Sequence, residues 1–426
     1  MKLISTSGGR ETFTFREAVL RGVAPDGGLL IPADFPALSA DFVSGASRLT
    51  FQDIAFEMAR LLIDGEIPDS DLERIIRASL SFPVPLVKLR PGVGILELFH
   101  GPTLAFKDFG ARFMARTLEY FQGGGERTIL VATSGDTGSA VANAFAGMDG
   151  MTVILLYPSG RVSRAQELQL TTAGVTALEV EGTFDDCQRL VKQAFADPTI
   201  CARRNLTSAN SINVARLLPQ TFYYAEAYAR MPEPGIPIVF SVPCGNLGNL
   251  TGGLIARRMG IPVKYFLAAT NVNCVFTDFL ASGKFSPATV TTTLSNAMDV
   301  GNPSNLARIS SVFGQDVKAM RGAIRSVSVT DAETLATIRT VHERTGYLLD
   351  PHGAVAFAAL DRTEPDERRY GVVLETAHPA KFPEAYDERL RASMTIPARL
   401  QEALRKAKRS VPMSGRFAEF KDFLMR

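Results

Sequence analysis

Short apolar segments alternate with helix-like segments from residue 128 onward, and no other feature of the chain restricts its fold as strongly. The apolar segments, which we predict to be strands, are 128–132, 152–157, 175–180, 237–242 and 263–269. Strands separated by helices form parallel sheets that are covered by helices on both faces. We therefore predict an α/β fold in which two parallel-sheet domains face one cleft.

The regions on either side of this alternation have different patterns. Residues 1–90 contain a Pro/Gly-rich opening and a helical stretch around 51–62, which predict a mainly helical N-terminal domain. Residues 383–426 have the pattern of charged amphipathic helices and predict a C-terminal helical extension. Residues 91–382 are predicted to hold the two α/β domains, the smaller of which spans roughly 110–235.

Composition excludes several classes of protein. With 46% hydrophobic residues among 426, the chain is not disordered. A net charge of +2, from 46 basic and 44 acidic residues, gives no electrostatic reason to expect nucleic acid or an anionic membrane as a partner. No segment approaches the ~20 apolar residues of a membrane span, and residues 1–6 lack a signal-peptide core. We predict a cytoplasmic protein.

One lysine, Lys107, lies in an apolar context within the segment 98–110. Its neighbours Leu104, Phe106 and Phe109 favour burial of this part of the chain. Burial disfavours the charged form of an amine and lowers its pKa. A neutral amine is what Schiff-base chemistry with an aldehyde requires. The alternative is a surface lysine with a packed stem and a solvated ammonium.

Two predicted strands run into loops that suit anions. The strand 128–132 is followed by 133–139, a cluster of small hydroxyl and glycine residues, and then by a helix. Such a turn presents free backbone N–H groups to a carboxylate or phosphate. The alternative for Asp136 or Thr137 is a simple helix N-cap, worth about 1 kcal/mol.

The second loop, 244–253, follows the strand 237–242 and is rich in glycine. Glycines allow a close backbone approach to an anion at the start of a helix. Gly245, Gly248 and Gly252 do not have the dinucleotide-binding spacing, and no Walker lysine follows. The alternative is an ordinary strand–helix connection.

A third predicted strand, 370–375, delivers the hydroxyl of Thr376 at its carboxyl end, where ligands bind in open α/β sheets. The alternative is that Thr376 bonds its own backbone.

Taken together, the four segments offer an amine, two anion cradles and a hydroxyl. Pyridoxal phosphate (PLP) matches this set, since it has an aldehyde, a phosphate and a ring nitrogen. The second cradle is then left for the negative charges of a substrate.

At these residues the chain resembles the threonine synthase family, the longer microbial type, among the fold-type II PLP enzymes. The resemblance covers nearly the whole chain and is carried by the segments 4–9, 22–32, 100–110, 132–139, 208–216, 350–355 and 376–382. It implies two parallel-sheet α/β domains facing a cofactor cleft, plus a threonine-synthase-like N-terminal domain.

The resemblance also implies roles for individual residues. Lys107 is the Schiff-base lysine, and Thr376 is the partner of the pyridine nitrogen. The cofactor phosphate is held by Gly245, Asn246, Leu247, Gly248 and Asn249. The substrate carboxylate is received by Ser134, Asp136 and Thr137, and the substrate phosphate by Ser211, Asn213 and Arg216. For Arg216, an ordinary helix arginine remains the alternative.

Two positions depart from the pattern of this family. Leu247 stands where phenylalanine is usual, which matters little because the backbone binds the phosphate. Cys244 stands where serine or threonine is usual, which removes one side-chain hydrogen bond to the cofactor.

The reaction implied by the resemblance is the conversion of O-phospho-L-homoserine and water into L-threonine and phosphate, the last step of threonine biosynthesis. Lys107 exchanges with the substrate amine, protons leave Cα and Cβ, the γ-phosphate departs and water adds at Cβ. Two alternatives stay open: another PLP-dependent phospho-lyase that releases a ketoacid, and a non-catalytic PLP- or phosphate-binding module.

The four cysteines and four histidines show no metal-ligand spacing, so no metal is predicted. We expect a monomer or homodimer.

Overall fold

The computed structural model describes residues 1–171, 174–232, 235–363 and 369–426. Its strands, in chain order, are β1 (Leu3–Ser5), β2 (Thr12–Phe13), β3 (Leu30–Pro32), β4 (Leu86–Arg90), β5 (Val93–Glu97), β6 (Arg127–Ala132), β7 (Met151–Pro158), β8 (Val175–Val180), β9 (Leu206–Ser208), β10 (Ile238–Pro243), β11 (Val263–Thr270), β12 (Ile324–Ser328), β13 (Tyr370–Glu375) and β14 (Val411–Met413).

The α-helices of the same residues are α1 (Phe15–Arg21), α2 (Ala40–Gly45), α3 (Phe51–Ile63), α4 (Asp69–Ser79), α5 (Lys107–Gln122), α6 (Asp136–Phe145), α7 (Arg164–Leu170), α8 (Phe184–Ala196), α9 (Pro198–Arg203), α10 (Val214–Leu217), α11 (Phe222–Ala229), α12 (Gly248–Arg258), α13 (Val275–Ser282), α14 (Leu306–Val312), α15 (Val317–Ala323), α16 (Asp331–Thr345), α17 (Pro351–Asp361), α18 (Glu388–Ser393), α19 (Ala398–Leu404) and α20 (Phe417–Met425). Short 3-10 helices lie at Ala46–Arg48, Leu218–Thr221, Asn296–Met298, Pro379–Lys381 and Pro383–Ala385. None of these helices is both long and apolar enough to cross a membrane.

The strands form three sheets. A six-stranded sheet has the order β12-β11-β10-β13-β5-β4, and a five-stranded sheet has the order β14-β8-β7-β6-β9. All neighbouring strands in these two sheets are parallel except β4 and β5. The prediction of two parallel-sheet α/β domains is confirmed. The five strands predicted from the alternation are present, with ends that differ by at most one residue.

Several parts of the secondary structure were not predicted, among them the strands β4, β5, β9 and β12 of the two large sheets. The N-terminal helices α1 to α4 are accompanied by a small antiparallel sheet with the order β2-β1-β3. The C-terminal segment, predicted to be helical, contributes β14, which extends the five-stranded sheet beside β8. Strands of two or three residues are too short to show an alternating pattern, and only pairing with a distant strand stabilises them.

β13 positions the start of α5 through main-chain contacts. The strand is buried along its whole length between β10 and β5. Just beyond its end, the carbonyl of Thr376 accepts a hydrogen bond of 2.8 Å from the N–H of Phe106. An isolated bridge pairs Ala105 with Ala377. Lys107 therefore begins its helix directly beside the carboxyl end of the central strand.

An aromatic cluster fixes the first turn of α5 against the N-terminal helices. The ring of Phe109 lies 5.9 Å from that of Phe51, 4.9 Å from Phe82 and 5.2 Å from Tyr223, in edge-to-face geometry. Edge-to-face pairs add about 0.5–1.5 kcal/mol each beyond the area that they bury. Since Phe109 is fully buried two residues after Lys107, the N-terminal domain helps to hold the lysine in place.

We expect Phe109→Ala to lower the free energy of unfolding by roughly 3–5 kcal/mol, the usual cost of removing a buried phenyl ring. Urea denaturation followed by circular dichroism measures the loss. The matched control is Phe285→Ala, whose ring is 36% exposed, and which should cost less than about 1 kcal/mol. Equal losses in the two variants would show that the aromatic cluster does not hold α5.

Candidate active site

The amine of Lys107 has the environment that a reactive lysine needs. Part of the side chain remains accessible, but the ammonium itself lies deep in the protein, 4.2 Å from the centre of the Phe106 ring. Burial and, to a smaller extent, the positive charge of Arg216 lower its pKa to about 8, against the opposing effect of Asp136. Within the described ranges, no hydrogen bond or ion pair engages the Lys107 amine.

The turn at residues 133–138, here called the Thr133 turn, leaves three backbone donors open. The Thr133 hydroxyl accepts hydrogen bonds from the N–H groups of Gly135 (3.0 Å) and Gly138 (2.8 Å). Gly135 has a φ of 131°, a conformation that a side chain would strain. The N–H groups of Ser134, Asp136 and Thr137 have no acceptor in the part of the chain that the structure describes.

The N-cap alternative for this turn is wrong. The N-cap position of α6 is Gly135, and neither Asp136 nor Thr137 caps the helix through its side chain. Three unpaired N–H groups at the first turn of a ten-residue helix, with its positive dipole end, form a site for an anion.

Residues 245–249, here called the glycine loop, form the second cradle. Leu247 adopts the left-handed conformation with φ of 61°, and α12 begins at the next residue. The N–H groups of Gly245, Asn246, Leu247, Gly248 and Asn249 have no acceptor among the described residues. A Cβ on Gly245 would lie 2.8 Å from the Ala297 carbonyl oxygen, so only glycine fits there.

The amide of Asn249 adds a side-chain donor to the glycine loop. Its Oδ1 accepts hydrogen bonds of 2.7 Å from the hydroxyls of both Tyr223 and Tyr224. Its Nδ2 is buried and has no partner in the described structure. Leaving a buried donor unpaired costs about 1–3 kcal/mol, which a bound anion would offset. At the same loop, the Cys244 thiol donates to the Val242 carbonyl, 3.2 Å away, and so does not extend this set of donors.

The hydroxyl of Thr376, at the end of β13, has no partner among the described residues. Thr376 is 5% exposed, and its hydroxyl takes part in no hydrogen bond within the described ranges. The alternative that it bonds its own backbone is therefore wrong. A buried neutral hydroxyl at this strand end suits a ring nitrogen that is not protonated.

Arg216 is a buried cation without an anion. It is 2% exposed, and it forms no ion pair with any described residue. One guanidinium nitrogen, Nη1, donates to the Ala209 carbonyl, whereas Nε has no partner. Burial lowers the Arg216 pKa to about 10. A Cβ on Gly110, one turn after Lys107, would lie 2.9 Å from Nε, which places the unpaired nitrogen beside the reactive lysine.

Ser211 lies next to the glycine loop. Its hydroxyl oxygen accepts hydrogen bonds from Asn246 Nδ2 (2.8 Å) and Asn305 Nδ2 (3.2 Å). Because both contacts use the oxygen as acceptor, the hydroxyl hydrogen remains available to an anion. Ser211 thus offers a donor next to the glycine loop.

Asn213 does not join Ser211 and Arg216. Its Oδ1 accepts from the N–H of Ala215 as the N-cap of α10, and its Nδ2 donates to the carbonyls of Val19 (3.0 Å) and Ser208 (3.4 Å). The assignment of Asn213 to the substrate phosphate is corrected: its whole amide is used to cap a helix and to tie it to the N-terminal domain. An asparagine directly before a short helix is typical of an N-cap. The family resemblance had indicated a role in binding phosphate instead.

The histidines of the site motifs also have structural contacts. His100 Nε2 lies 2.7 Å from a Glu97 carboxylate oxygen. His378 Nδ1 accepts from the N–H of Ala380, and burial lowers the pKa of His378 to about 4. His352 Nδ1 lies 2.5 Å from Asp350, and its Nε2 accepts from the N–H of Ala297.

Two charged residues of the site region were missed by the sequence analysis. Arg308 is fully buried and donates to the carbonyls of Leu30 (3.0 Å), Ser211 (2.7 Å) and Ile212 (2.6 Å). Lys381, also fully buried, donates to Asp136 Oδ1 at 2.5 Å. No sequence pattern near Arg308 indicates a buried position. Lys381, by contrast, lies between apolar residues in the segment 376–382, which carries part of the family resemblance.

The residues present fit PLP as a cofactor. A lysine amine with a lowered pKa can bond an aldehyde, the glycine loop with its orphaned Asn249 amide can hold a phosphate, and Thr376 can accompany the ring nitrogen. Two further anion sites, the Thr133 turn and the pair Ser211 and Arg216, are left over. This donor set agrees with a cofactor that carries one phosphate and a substrate that carries two separate negative groups.

Comparison with known proteins agrees with this chemistry. The family model described as "Pyridoxal-phosphate dependent enzyme" matches residues 83–375. The models described as "Threonine synthase N terminus" and "Threonine synthase, C-terminal" match residues 2–80 and 353–424.

Individual proteins give the same result over nearly the full length. Threonine synthase from Escherichia coli K12 is 44% identical over 94% of this chain and 94% of its own. The crystal structure of the E. coli enzyme has a TM-score of 0.94 at 42% identity, covering 100% of this chain and 99% of that one. A PLP-bound threonine synthase from Brucella melitensis has a TM-score of 0.91 at 36% identity, covering 100% and 98%. The chain belongs to the threonine synthase family of PLP-dependent enzymes.

Proposed function

We propose that this enzyme converts O-phospho-L-homoserine and water into L-threonine and phosphate. One observation carries the choice of substrate: Arg216 is buried beside Lys107 and forms no ion pair with any residue that the structure describes. The glycine loop accounts for the cofactor phosphate and the Thr133 turn for an amino-acid carboxylate. A third cationic site is explained by a substrate that carries a phosphate of its own.

PLP, when bound, supplies an aldehyde for the amine and a sink for electrons released at the substrate carbons. Its phosphate would be held by the open N–H groups of the glycine loop and by Asn249 Nδ2. Thr376 would face the ring nitrogen through its free hydroxyl. A hydroxyl in place of a carboxylate stabilises the unprotonated nitrogen, which moderates the electron sink.

Lys107 would move the protons of the reaction. With a pKa of about 8, a substantial fraction of this amine is neutral near physiological pH and can act as a base. In the proposed reaction it takes one proton each from Cα and Cβ of the substrate. It returns one proton to Cγ after the phosphate has left and one to Cα after the hydroxyl of water has added at Cβ, while the remaining proton of the water goes to the departed phosphate. Phe106 limits the space around the amine.

Ser211 and Arg216 would bind the phosphate that leaves from Cγ. The unpaired Nε of Arg216 and the free hydroxyl hydrogen of Ser211 are donors for its oxygens. A fixed positive charge in a dry site stabilises the negative charge that develops on the departing phosphate. The Thr133 turn would hold the carboxylate at the other end of the substrate, through the N–H groups of Ser134, Asp136 and Thr137.

We also propose that the enzyme works in the cytoplasm as a monomer or homodimer. Light scattering on the purified protein measures the oligomeric state, and a larger assembly would contradict this part of the proposal.

The function is tested with PLP-loaded protein and O-phospho-L-homoserine, following phosphate and amino-acid products together. We expect phosphate and threonine in equal amounts from the natural chain and neither from Lys107→Ala, because the reactive amine is gone. Circular dichroism should show that Lys107→Ala keeps the fold. Phosphate with a ketoacid would indicate a different lyase. PLP binding without any phosphate release would indicate another substrate or a binding module.

We expect covalent attachment of PLP to the cofactor-free protein to accelerate with rising pH, with a midpoint at about pH 8. The neutral amine is the reacting form, and its fraction grows as the pH rises through the Lys107 pKa. In Arg216→Met the midpoint should move to higher pH, because a positive charge that lowers this pKa is removed. Stopped-flow absorbance measures the rate.

The matched control for this pH profile is Arg116→Met, at an exposed arginine paired with Glu119. Its profile should coincide with that of the natural chain. A rate that does not change between pH 7 and 9, or a downward shift in Arg216→Met, would contradict the assignment of the titrating group to Lys107.

Arg216→Met should also raise the KM for O-phospho-L-homoserine by about 100-fold or more, because truncating one partner of a buried charge pair costs several kcal/mol. Competitive inhibition by inorganic phosphate should be lost in the same variant. Steady-state kinetics measure both effects, with Arg116→Met as the control. An unchanged phosphate inhibition constant in Arg216→Met would show that Arg216 does not bind the substrate phosphate.

A further inference from the structure

The Thr133 turn contains a feature that its proposed role does not explain. Asp136, the first residue of α6, carries a carboxylate at the place where the substrate's carboxylate is to bind. The side chain is only 6% exposed, so water does not screen its charge effectively. Two carboxylates brought together in such a site repel each other. A buried aspartate in this turn should therefore weaken substrate binding unless something neutralises it.

Lys381 is placed to neutralise Asp136. Its Nζ lies 2.5 Å from Asp136 Oδ1 and 3.0 Å from the Thr103 carbonyl oxygen, and the side chain is fully buried. Gln166 Nε2 also donates to the same Asp136 oxygen, at 3.1 Å. These contacts draw the carboxylate of Asp136 into an ion pair and leave the backbone N–H groups of the turn open.

The ion pair joins the two α/β domains. Asp136 follows β6 of the five-stranded sheet, whereas Lys381 lies in the 3-10 helix Pro379–Lys381 after β13 of the six-stranded sheet. The Lys381 carbonyl also accepts from the Ser163 hydroxyl, at 3.1 Å, in the loop between β7 and α7. Lys381 therefore ties the Thr133 turn to the segment that follows β13.

The carboxylate of Asp136 carries a full negative charge. Burial by itself raises the pKa of Asp136, but the ammonium of Lys381, its hydrogen bond and that of Gln166 outweigh burial and hold the pKa below its usual range. Asp136 is thus an anion at neutral pH. An ammonium next to it brings the net charge of the pair to zero.

We propose that Lys381 is a positioning residue that neutralises Asp136 and thereby permits the Thr133 turn to bind a second carboxylate, that of the amino-acid substrate. The inference rests on the proposed function, in which this turn receives the substrate carboxylate. It goes further in assigning Lys381 a part in binding, although Lys381 itself does not contact the substrate.

The test compares Lys381→Met with Lys381→Met/Asp136→Asn in the PLP-loaded enzyme. In the single variant, Asp136 is an uncompensated anion, and the KM for O-phospho-L-homoserine should rise at least about tenfold, with a smaller change in kcat. In the double variant both charges are gone, and the KM should return to within about threefold of the natural value. A purely structural lysine would not be rescued by removing its partner's charge.

Two further readouts separate binding from turnover. Titration with L-threonine, which has a carboxylate but no phosphate, perturbs the absorbance of bound PLP and should show the same loss and the same recovery in Kd. The inhibition constant of inorganic phosphate should stay unchanged, since phosphate uses Arg216. Lys408→Met is the matched control, because Lys408 pairs with Glu167 and Glu179 and is 42% exposed. All its constants should equal those of the natural chain.

The proposal is overturned if Lys381→Met binds L-threonine with the affinity of the natural chain. It is also overturned if the double variant binds L-threonine as weakly as the single variant. If Lys381→Met does not fold, the double variant alone decides: near-natural binding supports neutralisation, and weak binding overturns it. A natural chain that binds L-threonine but produces none from O-phospho-L-homoserine would refute the proposed function, while the L-threonine titrations would still decide the role of Lys381.

Discussion

The site depends on buried positive charge that the protein does not neutralise. Lys107, Arg216 and Arg308 are all buried to a depth that lowers their pKa values, and within the described ranges none of the three forms an ion pair with a carboxylate. A buried charge without a counter-ion is costly to a folded protein. Three backbone carbonyls and the Asn305 side chain accept hydrogen bonds from Arg308, whereas Nε of Arg216 has no partner among the described residues. Anions that bind to these groups would offset the free-energy cost of burying their charges.

Parallel strands explain why these charges meet open backbone donors. The Thr133 turn and the glycine loop each join the carboxyl end of a central strand to the start of a helix, so each presents N–H groups and a positive dipole end. Lys107 begins a third helix beside the end of β13. In the proposed function, the cofactor phosphate, the substrate carboxylate and the substrate phosphate would therefore occupy separate places, and Lys381 would neutralise the buried Asp136 at the second of them.

Local sequence patterns predicted those parts of the structure that depend on residues close together in the sequence. The strands β8 and β13 have the predicted limits, 175–180 and 370–375, because each is a short apolar run between polar residues. The glycine loop and the Thr133 turn were found because strand, turn and helix follow one another in sequence. Lys381, Arg308 and β14 were missed, since each is defined by a partner more than 200 residues away in sequence.

The contacts of Arg308 and Asn213 make the N-terminal domain part of the site. Leu30 in β3 accepts from Arg308, which also holds the carbonyl of Ser211, and Val19 in α1 accepts from Asn213, which caps the helix that carries Arg216. Without these acceptors, a buried guanidinium and a buried amide would lose partners that no nearby group replaces. The donors proposed for the substrate phosphate are therefore placed by a domain that contributes none of them, because the segment 211–216 is held between the N-terminal sheet and α14.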